Sequence, residues 1–600
     1  MKLTGGYVVR VVALAATFLM GVESVVASST MQEPIEATAL PSGPVDPELT
    51  DSRWLRRTVS EFAGSRATVL FFSSVDCPIV KRYLPRIEEM AKAHDPAEVR
   101  FLVVNVAAGD SLVDAAGQQV LLAPSTTFAK DFDGSLVSRL GVERTAAVVV
   151  LDGEQRLVYR GRVDRQYRYT GTAPNAGRAD LALAIEDVLA GRAVQVATTP
   201  VDGCRITRAR PIDPTATPPD YQRDIEPLFR KHCQDCHRPG GEGPFVLPDL
   251  AQARTNLEMI GEVVAEQRMP PWYGSRRYGH FINERGMSAE ERATVAAWVR
   301  AGGPGKEAED RVPVAPAPKW RIGEPDLVLK VPVPIRLPAD GFLPYRYYIL
   351  PYRFEQDTWL EAIEIRSDDG RVLHHCNMAR VKWGERFSPR GFVTGQVPGG
   401  DAMILDEGLA VRVTKGSALA LQAHYVTVGE PVVDRLSVGL RFARGTVQKE
   451  LRIQAMADSR FAIAPGAVAY PVSSRRRFPK DARLFGLVPH MHLRGRDIVV
   501  RALPPEGAPE TLLVVPNYNF DWQQSYQWGR EGRPIAAGTR LEAIAHFDNS
   551  PSNPFNPDPG KVVRYGLQTV DEMMFAFAFY VLEDEELGLR VDPKTGHALE

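Results

Sequence analysis

Five of the 11 histidines in this 600-residue chain fall into three short segments. His374 and His375 are adjacent, His424 stands in Leu421-Gln422-Ala423-His424-Tyr425, and His490-Met491-His492 sets two imidazoles two residues apart. On an extended segment side chains i and i+2 share a face, so His490 and His492 are aimed at one point. A softer donor is on offer at Met573, in Asp571-Glu572-Met573, just ahead of the strand-like run Phe575–Tyr580. Imidazole serves both oxidation states of copper and a thioether favours Cu(I), so two His with one Met make a copper set. Zinc on three histidines is the rival chemistry, and it leaves the methionine without a use. A single histidine in a strand-rich domain is ordinarily a hydrogen-bonded structural residue. The clustering is what points to metal.

A second constellation is Cys233-Gln234-Asp235-Cys236-His237. CxxCH is the attachment pattern for c-type haem: two thiols add to the vinyl groups and the histidine becomes the proximal iron ligand. A CxxC can also hold zinc, but the flanking segments favour haem. Tyr221–Phe229 reads as a helix before it, and Ser288-x-x-Glu291 is a capping box that opens a last helix through Trp298. The stretch 220–306 resembles a small cytochrome c. Met269, in Arg268-Met269-Pro270-Pro271, is the preferred distal ligand because a proline-rich loop holds it rigidly. Met287 is a weaker rival, and Met259 reads as core on a helical stripe with Val263.

A third is Cys77, placed by Asp76-Cys77-Pro78 between the buried-strand pattern 67–72 and an amphipathic helix. A helix N-terminus favours the thiolate, while the neighbouring Asp76 works against it. No CxxC exists here, since Val80 occupies the partner position. Cys204, after the domain's last helix, is the expected disulfide partner in an oxidising compartment. Strand, cysteine, helix, strand, hairpin and helix over 51–205 resemble a thioredoxin or peroxiredoxin fold. That family's proline opposite the cysteine is replaced by Thr145-Ala146-Ala147, so Cys77 and Cys204 read either as redox thiols or as vestigial ones.

The elements that must position these groups divide the chain. Length alone requires several domains. Residues 1–27 read as a secretory signal, with Lys2 and Arg10 before an apolar run and small residues at Val25-Val26-Ala27. A membrane anchor competes, but the run is short for one, and no later stretch reaches a spanning length. The expectation is an exported, periplasmic or secreted protein. A linker (28–50), the thioredoxin-like domain (51–205), a Pro/Thr-rich connector (206–219), the haem domain (220–306), a proline-rich spacer (307–322) and two strand-rich regions (323–450 and 451–590) follow. A composition of 44% hydrophobic and 24% charged residues with net charge −2 excludes an electrostatic case for nucleic acid.

In order, His374-His375, His424, His490-x-His492 and Asp571-Glu572-Met573 resemble the motifs of the copper type II, ascorbate-dependent monooxygenases, the family of peptidylglycine α-hydroxylating and dopamine β-monooxygenases. The resemblance covers about 323–590. It implies two all-β, jelly-roll-like sandwiches facing each other across a solvent cleft. It also implies an electron-supplying copper on His374, His375 and His424, and an oxygen-activating copper on His490, His492 and Met573. His546 reads as a packing or hydrogen-bonding residue near the site, or else a spare ligand. Departures matter: this region has one cysteine, Cys376, where the animal enzymes have several disulfides, and Val488, Phe575 and Phe577 stand where the peptide enzyme keeps polar anchors. The fold expected is thus multidomain: α/β thioredoxin-like, all-α cytochrome c, and two β-sandwiches. The activity expected is insertion of one atom of O2 into a C–H bond of a small, apolar organic substrate. It calls for two copper ions, one covalent haem c as electron relay, and an external donor such as ascorbate or a redox protein. The alternative is a non-catalytic electron-transfer or copper-handling protein.

Overall fold

The computed structural model describes residues 43, 45–62, 64–207, 217–307 and 312–599. The expected signal segment 1–27, most of the 28–50 linker and the middle of the 206–219 connector lie outside the described residues. Among the described residues, no helix is long and apolar enough to cross a membrane.

The first domain is a seven-stranded sheet in the order Arg56–Thr58, Glu48–Asp51, Thr127–Lys130, Val99–Asn105, Ala67–Ser73, Val148–Asp152, Leu157–Gly161. Its three central strands from Thr127 to Ser73 run parallel, and the flanking pairs are antiparallel. Every residue of Ala67–Ser73 is buried, as a strand covered on both faces requires. Glu48–Asp51 corrects the linker expectation. These residues pair with Thr127–Lys130 and bury Leu49, so the sheet begins inside the segment read as connector.

Residues 217–307 hold helices and no strand: Tyr221–Ile225 running into Glu226–His232, then Leu250–Thr255, Leu257–Ala265 and Ala289–Arg300. Trp298 of the last helix lies against Tyr221 and Phe229 of the first, each ring pair 6.0 Å apart, and ties the two ends of the domain. The capping box forms, with the Glu291 N–H donating to Ser288 Oγ and the Ser288 N–H to Glu291 Oε2. Met259 is a correction. It is 51% exposed, on the outer side of Leu257–Ala265, because Ile260 and Val264 are the residues that this helix buries.

The remaining chain forms two sandwiches. In the first, a sheet ordered Leu327–Lys330, Leu436–Phe442, Thr358–Ser367, Leu409–Val413, Lys449–Glu450 packs on one ordered Arg346–Ile349, Ser417–Tyr425, Leu373–Lys382, Phe392–Gln396. In the second, Arg452–Asp458, Met574–Leu582, Ala482–His490, Tyr526–Gln527 faces Tyr470–Arg477, Arg540–Phe547, Gly495–Leu503, Glu510–Val515. The core of this second sandwich includes Trp272, Tyr273 and Phe281, which reach in from the helical region. The proline-rich spacer also ends in packing: Trp320 and Ile322 are buried, and the Arg321 and Ile322 N–H groups donate to Glu364.

Candidate metal centre

The adjacent pair His374-His375 poses a geometric problem, because neighbouring side chains on a regular strand point to opposite faces. A register shift between Leu373 and His375 in the pairing with Ser417–Tyr425 solves it, and His375 lands directly opposite His424. A bulge of this kind re-aims one side chain. One donor atom from each of His374, His375 and His424 then lies within 4.8 Å of the others.

The outer hydrogen bonds decide which nitrogens converge. His374 Nε2 donates to Asp521 Oδ1 at 2.9 Å, leaving its Nδ1 lone pair free. Gln523 Nε2 lies 3.3 Å from His375 Nδ1 and 3.0 Å from the Phe520 carbonyl, which fixes the amide as donor on that side. Tyr345 Oη sits 2.9 Å from His375 Nε2. The Nδ1 atoms of His374 and His375 are therefore 3.0 Å apart with both lone pairs turned inward. His424 Nδ1 is buried and has no hydrogen-bond partner. A buried imidazole nitrogen with no partner, as at His424 Nδ1, is costly unless a cation fills the gap. These residues fit a metal ion bound through Nδ1.

At the second set the nitrogens are reversed. His490 closes the strand Ala482–His490 and His492 lies just past its end, their rings 5.3 Å apart. His490 Nδ1 donates to Gln523 Oε1 at 2.7 Å, and His492 Nδ1 donates to the Asp571 carbonyl at 3.1 Å. Both therefore keep Nε2 as the free lone pair, the arrangement by which an outer partner orients a metal-binding imidazole. Glu572, fully buried, accepts from the backbone N–H groups of His492, Arg494 and Met573 and so holds the loop carrying Met573 against the pair. Burial pushes its carboxyl up to about 8 against those donors.

Burial also holds the imidazoles neutral. It lowers His424 and His490 to about 4 and His492 to about 3, with neighbouring His374 and His490 adding to the effect at His424 and His492 respectively. His375 is driven well below the usual range, first by complete burial and then by His374. Neutral imidazole is the form that binds metal.

Around the two histidine sets the sandwiches touch, so the expected cleft is confined to one side of that contact. The His375 and His490 rings are 6.4 Å apart, and Phe520 lies against His374, His375, His424 and His492. Gln523 spans the gap with both ends of its amide, and that direct contact closes the space. What separates the sandwiches is a cavity of about 280 Å3 walled by Phe392 on one side and by Val488, His490, Met573, Phe575 and Phe577 on the other. Phe392 and Phe577 stack at 4.3 Å, and Phe575 and Phe577 at 5.2 Å. His546 pairs with buried Asp497 at 2.6 Å, a hydrogen-bonding role.

In the helical domain, Cys233, Cys236 and His237 sit on one turn, with the Cys236 and His237 N–H groups donating to the Cys233 carbonyl. His237 Nδ1 donates to the Phe245 carbonyl at 2.9 Å and leaves Nε2 for a ligand. A side chain at Gly243 would stand 2.7 Å from that Nδ1, so only glycine lets the chain close over the ring. These features fit a proximal histidine. Met269 and Met287 line one small cavity, and Met287 belongs to the core that Cys233 and Phe245 pack against. Glu242, six residues past Cys236, accepts from the Gly399 N–H at 2.5 Å and pairs with Arg321, which turns this loop toward the first sandwich.

Cys77 caps the helix Pro78–Ala93, and Cys204 lies against it in the same core. Both are free thiols in this structure. Burial pushes Cys77 up, but hydrogen bonds from Cys204, Thr145 and the Val80 backbone outweigh it and the net direction is down. Cys204 is pushed up to about 11 by burial and by Cys77. Cys77 is thus the more acidic of the pair. Thr145 accepts from the Cys204 N–H at 3.1 Å, and Asp76 is engaged by Arg277 at 2.9 Å.

Tyr345, Asp521, Gln523 and Glu572 were not singled out by sequence reasoning. Gln523 stands in a stretch remarkable only for polar and aromatic residues between the two motifs, and no spacing marks Tyr345. Only Glu572, inside Asp571-Glu572-Met573, carried a signal.

Comparison with known proteins bears on the first domain. A family model described as Redoxin matches residues 50–178. A hypothetical protein from Sinorhizobium meliloti 1021 is 25% identical over 29% of this chain and 96% of its own, with a TM-score of 0.26. A secreted Mycobacterium tuberculosis disulfide oxidoreductase is 18% identical over 24% of this chain and 96% of its own, with a TM-score of 0.19. A putative thiol:disulfide interchange protein DsbE from Chlorobium tepidum is 18% identical over 20% and 84%, also at 0.19. Cys77 lies inside the matched segment and Cys204 beyond it. Residues 50–178 are a thioredoxin-like redoxin domain.

Proposed function

We propose that this chain is an exported, copper-dependent monooxygenase that hydroxylates a C–H bond of a small apolar substrate, fed with electrons through a covalent haem c. The observation that carries the reading is the pair of histidine sets with opposite free nitrogens, the second of them opening with Met573 onto an apolar cavity. Bound copper supplies the one-electron steps that O2 requires, and haem c supplies electrons one at a time.

The chain's own residues do the rest. Asp521 and Tyr345 hold His374 and His375 with Nδ1 inward, and Gln523 and the Asp571 carbonyl hold His490 and His492 with Nε2 outward. Glu572 anchors the Met573 loop. Phe392, Phe575 and Phe577 exclude water and bind apolar surface at about 25 cal/mol per Å2 buried. Val488 offers no charge to a substrate carboxylate, which disfavours a peptidylglycine at that position. Cys233 and Cys236 would hold the haem and His237 its iron, with Met269 or Met287 opposite. Cys77 and Cys204 form a separate thiol pair in the redoxin domain.

Metal and haem analysis of the purified protein, paired with oxygen uptake under ascorbate, tests the reading. Two coppers, haem that survives denaturation, and uptake that rises with an apolar substrate are expected. Substrate-independent uptake with full cofactor content would leave the electron-transfer alternative standing and overturn the enzyme.

A further inference from the structure

A continuous path leads from the methionine loop of the helical domain to both histidine sets. Met269 is followed by Pro270 and Pro271, and the Pro271 carbonyl accepts a 2.8 Å hydrogen bond from Gln524 Nε2. Gln524 Oε1 accepts from the Tyr273 N–H at 3.2 Å, so one buried amide grips this segment by two bonds. The next residue is Gln523, whose Oε1 accepts from His490 Nδ1 and whose Nε2 faces His375 Nδ1. Between the two domains the route crosses a single hydrogen bond. The rest is covalent until Gln523 meets an imidazole.

Electron transfer decays steeply with distance through space and less steeply through covalent and hydrogen bonds. Two adjacent buried glutamines, each using both ends of its amide, are an expensive arrangement in an otherwise aromatic interface, since every polar group must find a partner. Gln524 finds its partners on the methionine loop and Gln523 finds its partners on the histidines. We propose that Gln523-Gln524 is the electron bridge between the haem side and the copper side, with Gln524 as the contact across the domain boundary. The inference rests on the haem and copper reading above. Per event, one electron leaves the haem iron, ferrous to ferric, and one copper goes from cupric to cuprous. No proton crosses, and an external one-electron donor re-reduces the haem.

The test uses the full chain loaded with haem and copper, oxidised, without O2 or substrate. A pulse of a one-electron photoreductant reduces the haem, and its absorbance is followed as the electron moves on. Wild type is expected to show a reoxidation phase independent of protein concentration. Gln524→Ala is expected to slow that phase at least tenfold with copper content, haem midpoint potential and copper EPR unchanged. Gln524→Glu keeps the size and the acceptor for Tyr273 but loses the donor to Pro271, and is expected to slow it as well. If both variants retain the wild-type rate, the bridge is wrong while the haem and copper reading stands. If wild type binds both cofactors but shows no intramolecular phase, the relay fails, and the bridge with it. Absence of haem or copper from the wild-type protein would overturn the underlying reading itself.

Discussion

The two histidine sets use the same side chain in opposite senses. His374 and His375 turn Nδ1 inward and tie Nε2 to Asp521 and Tyr345, and His424 buries Nδ1 without a partner, whereas His490 and His492 tie Nδ1 to oxygen and present Nε2. The atom that makes the difference is a proton, and its position is dictated by outer partners. Gln523 contributes to both sets at once: its carbonyl oxygen faces His490 and its NH2 faces His375. Nδ1 is close to the backbone and Nε2 is at the ring's far end. A set bound through Nδ1 is drawn back to its own sheet, and one bound through Nε2 reaches out toward the cavity. Imidazole alone with no cavity suits electron holding, and imidazole with a thioether at a cavity wall suits oxygen chemistry.

The sharpest way to break the comparison is to remove one ligand from each side. Met573→Ala is expected to abolish hydroxylation while the copper at His374, His375 and His424 is still reduced and reoxidised. His424→Ala is expected to abolish turnover as well, but with the cavity-side copper retained, so copper content falls by one ion. Product assays with metal counts and EPR separate the two. Equal loss of both coppers in either variant would mean that the sets are not independent sites.

A smaller effect is expected at the shared residue. Gln523→Ala removes the outer partner of His490 and leaves Tyr345 on His375, and such a partner is worth about 10–100-fold in metal affinity or activity. Copper titration should show the His490 site weakened and the other site little changed. Equal weakening of both would show that the amide orients both sets. Smaller again is Phe577→Ala. Losing part of the burial of one aromatic, about 1.5 kcal/mol, weakens an apolar substrate about tenfold, read as a rise in KM with the copper spectra unchanged.

The last effect concerns pH and needs copper-free protein. In the folded state burial holds His424 and His490 to about 4 and His492 to about 3, against 6.5 unfolded. Below pH 6.5 the unfolded chain therefore binds more protons than the folded one, and stability falls as pH drops toward 4; above 6.5 these groups contribute no slope. Thermal melts should trace that loss, and copper should shift it to lower pH because the ion competes with protons for the same lone pairs. A melt flat between pH 7 and 4 would refute the burial of the imidazoles.

Much of this was legible in the chain itself. His374-His375, His424, His490-x-His492 and Met573 could be grouped because ligand types are rare and their short-range spacing is informative. The redoxin domain was legible from strand and helix periodicity around Cys77. What could not be read is contact across long separations: Asp521 meets His374 from 147 residues away, and Gln523 meets His375 from 148. The bulge at His374 is invisible too, since a register shift belongs to the pairing of two strands and not to either alone. Met259 failed for a related reason. Helical periodicity identifies a stripe, but the partner decides which edge of it is covered.

Trp272, Tyr273 and Phe281 lie in the core of the second sandwich although they come from the helical region. The modules are therefore not separable folding units in the way their sequence boundaries imply. A fragment starting at residue 323 would leave that core short of three large aromatic side chains, with Tyr526 and Trp528 stripped of their ring partners. Such a fragment should melt early or aggregate, whatever its metal content. Unfolding of the whole chain should instead link the helical domain and the second sandwich in one cooperative transition. The helical region thus doubles as a plug that completes the core of the sandwich beside it.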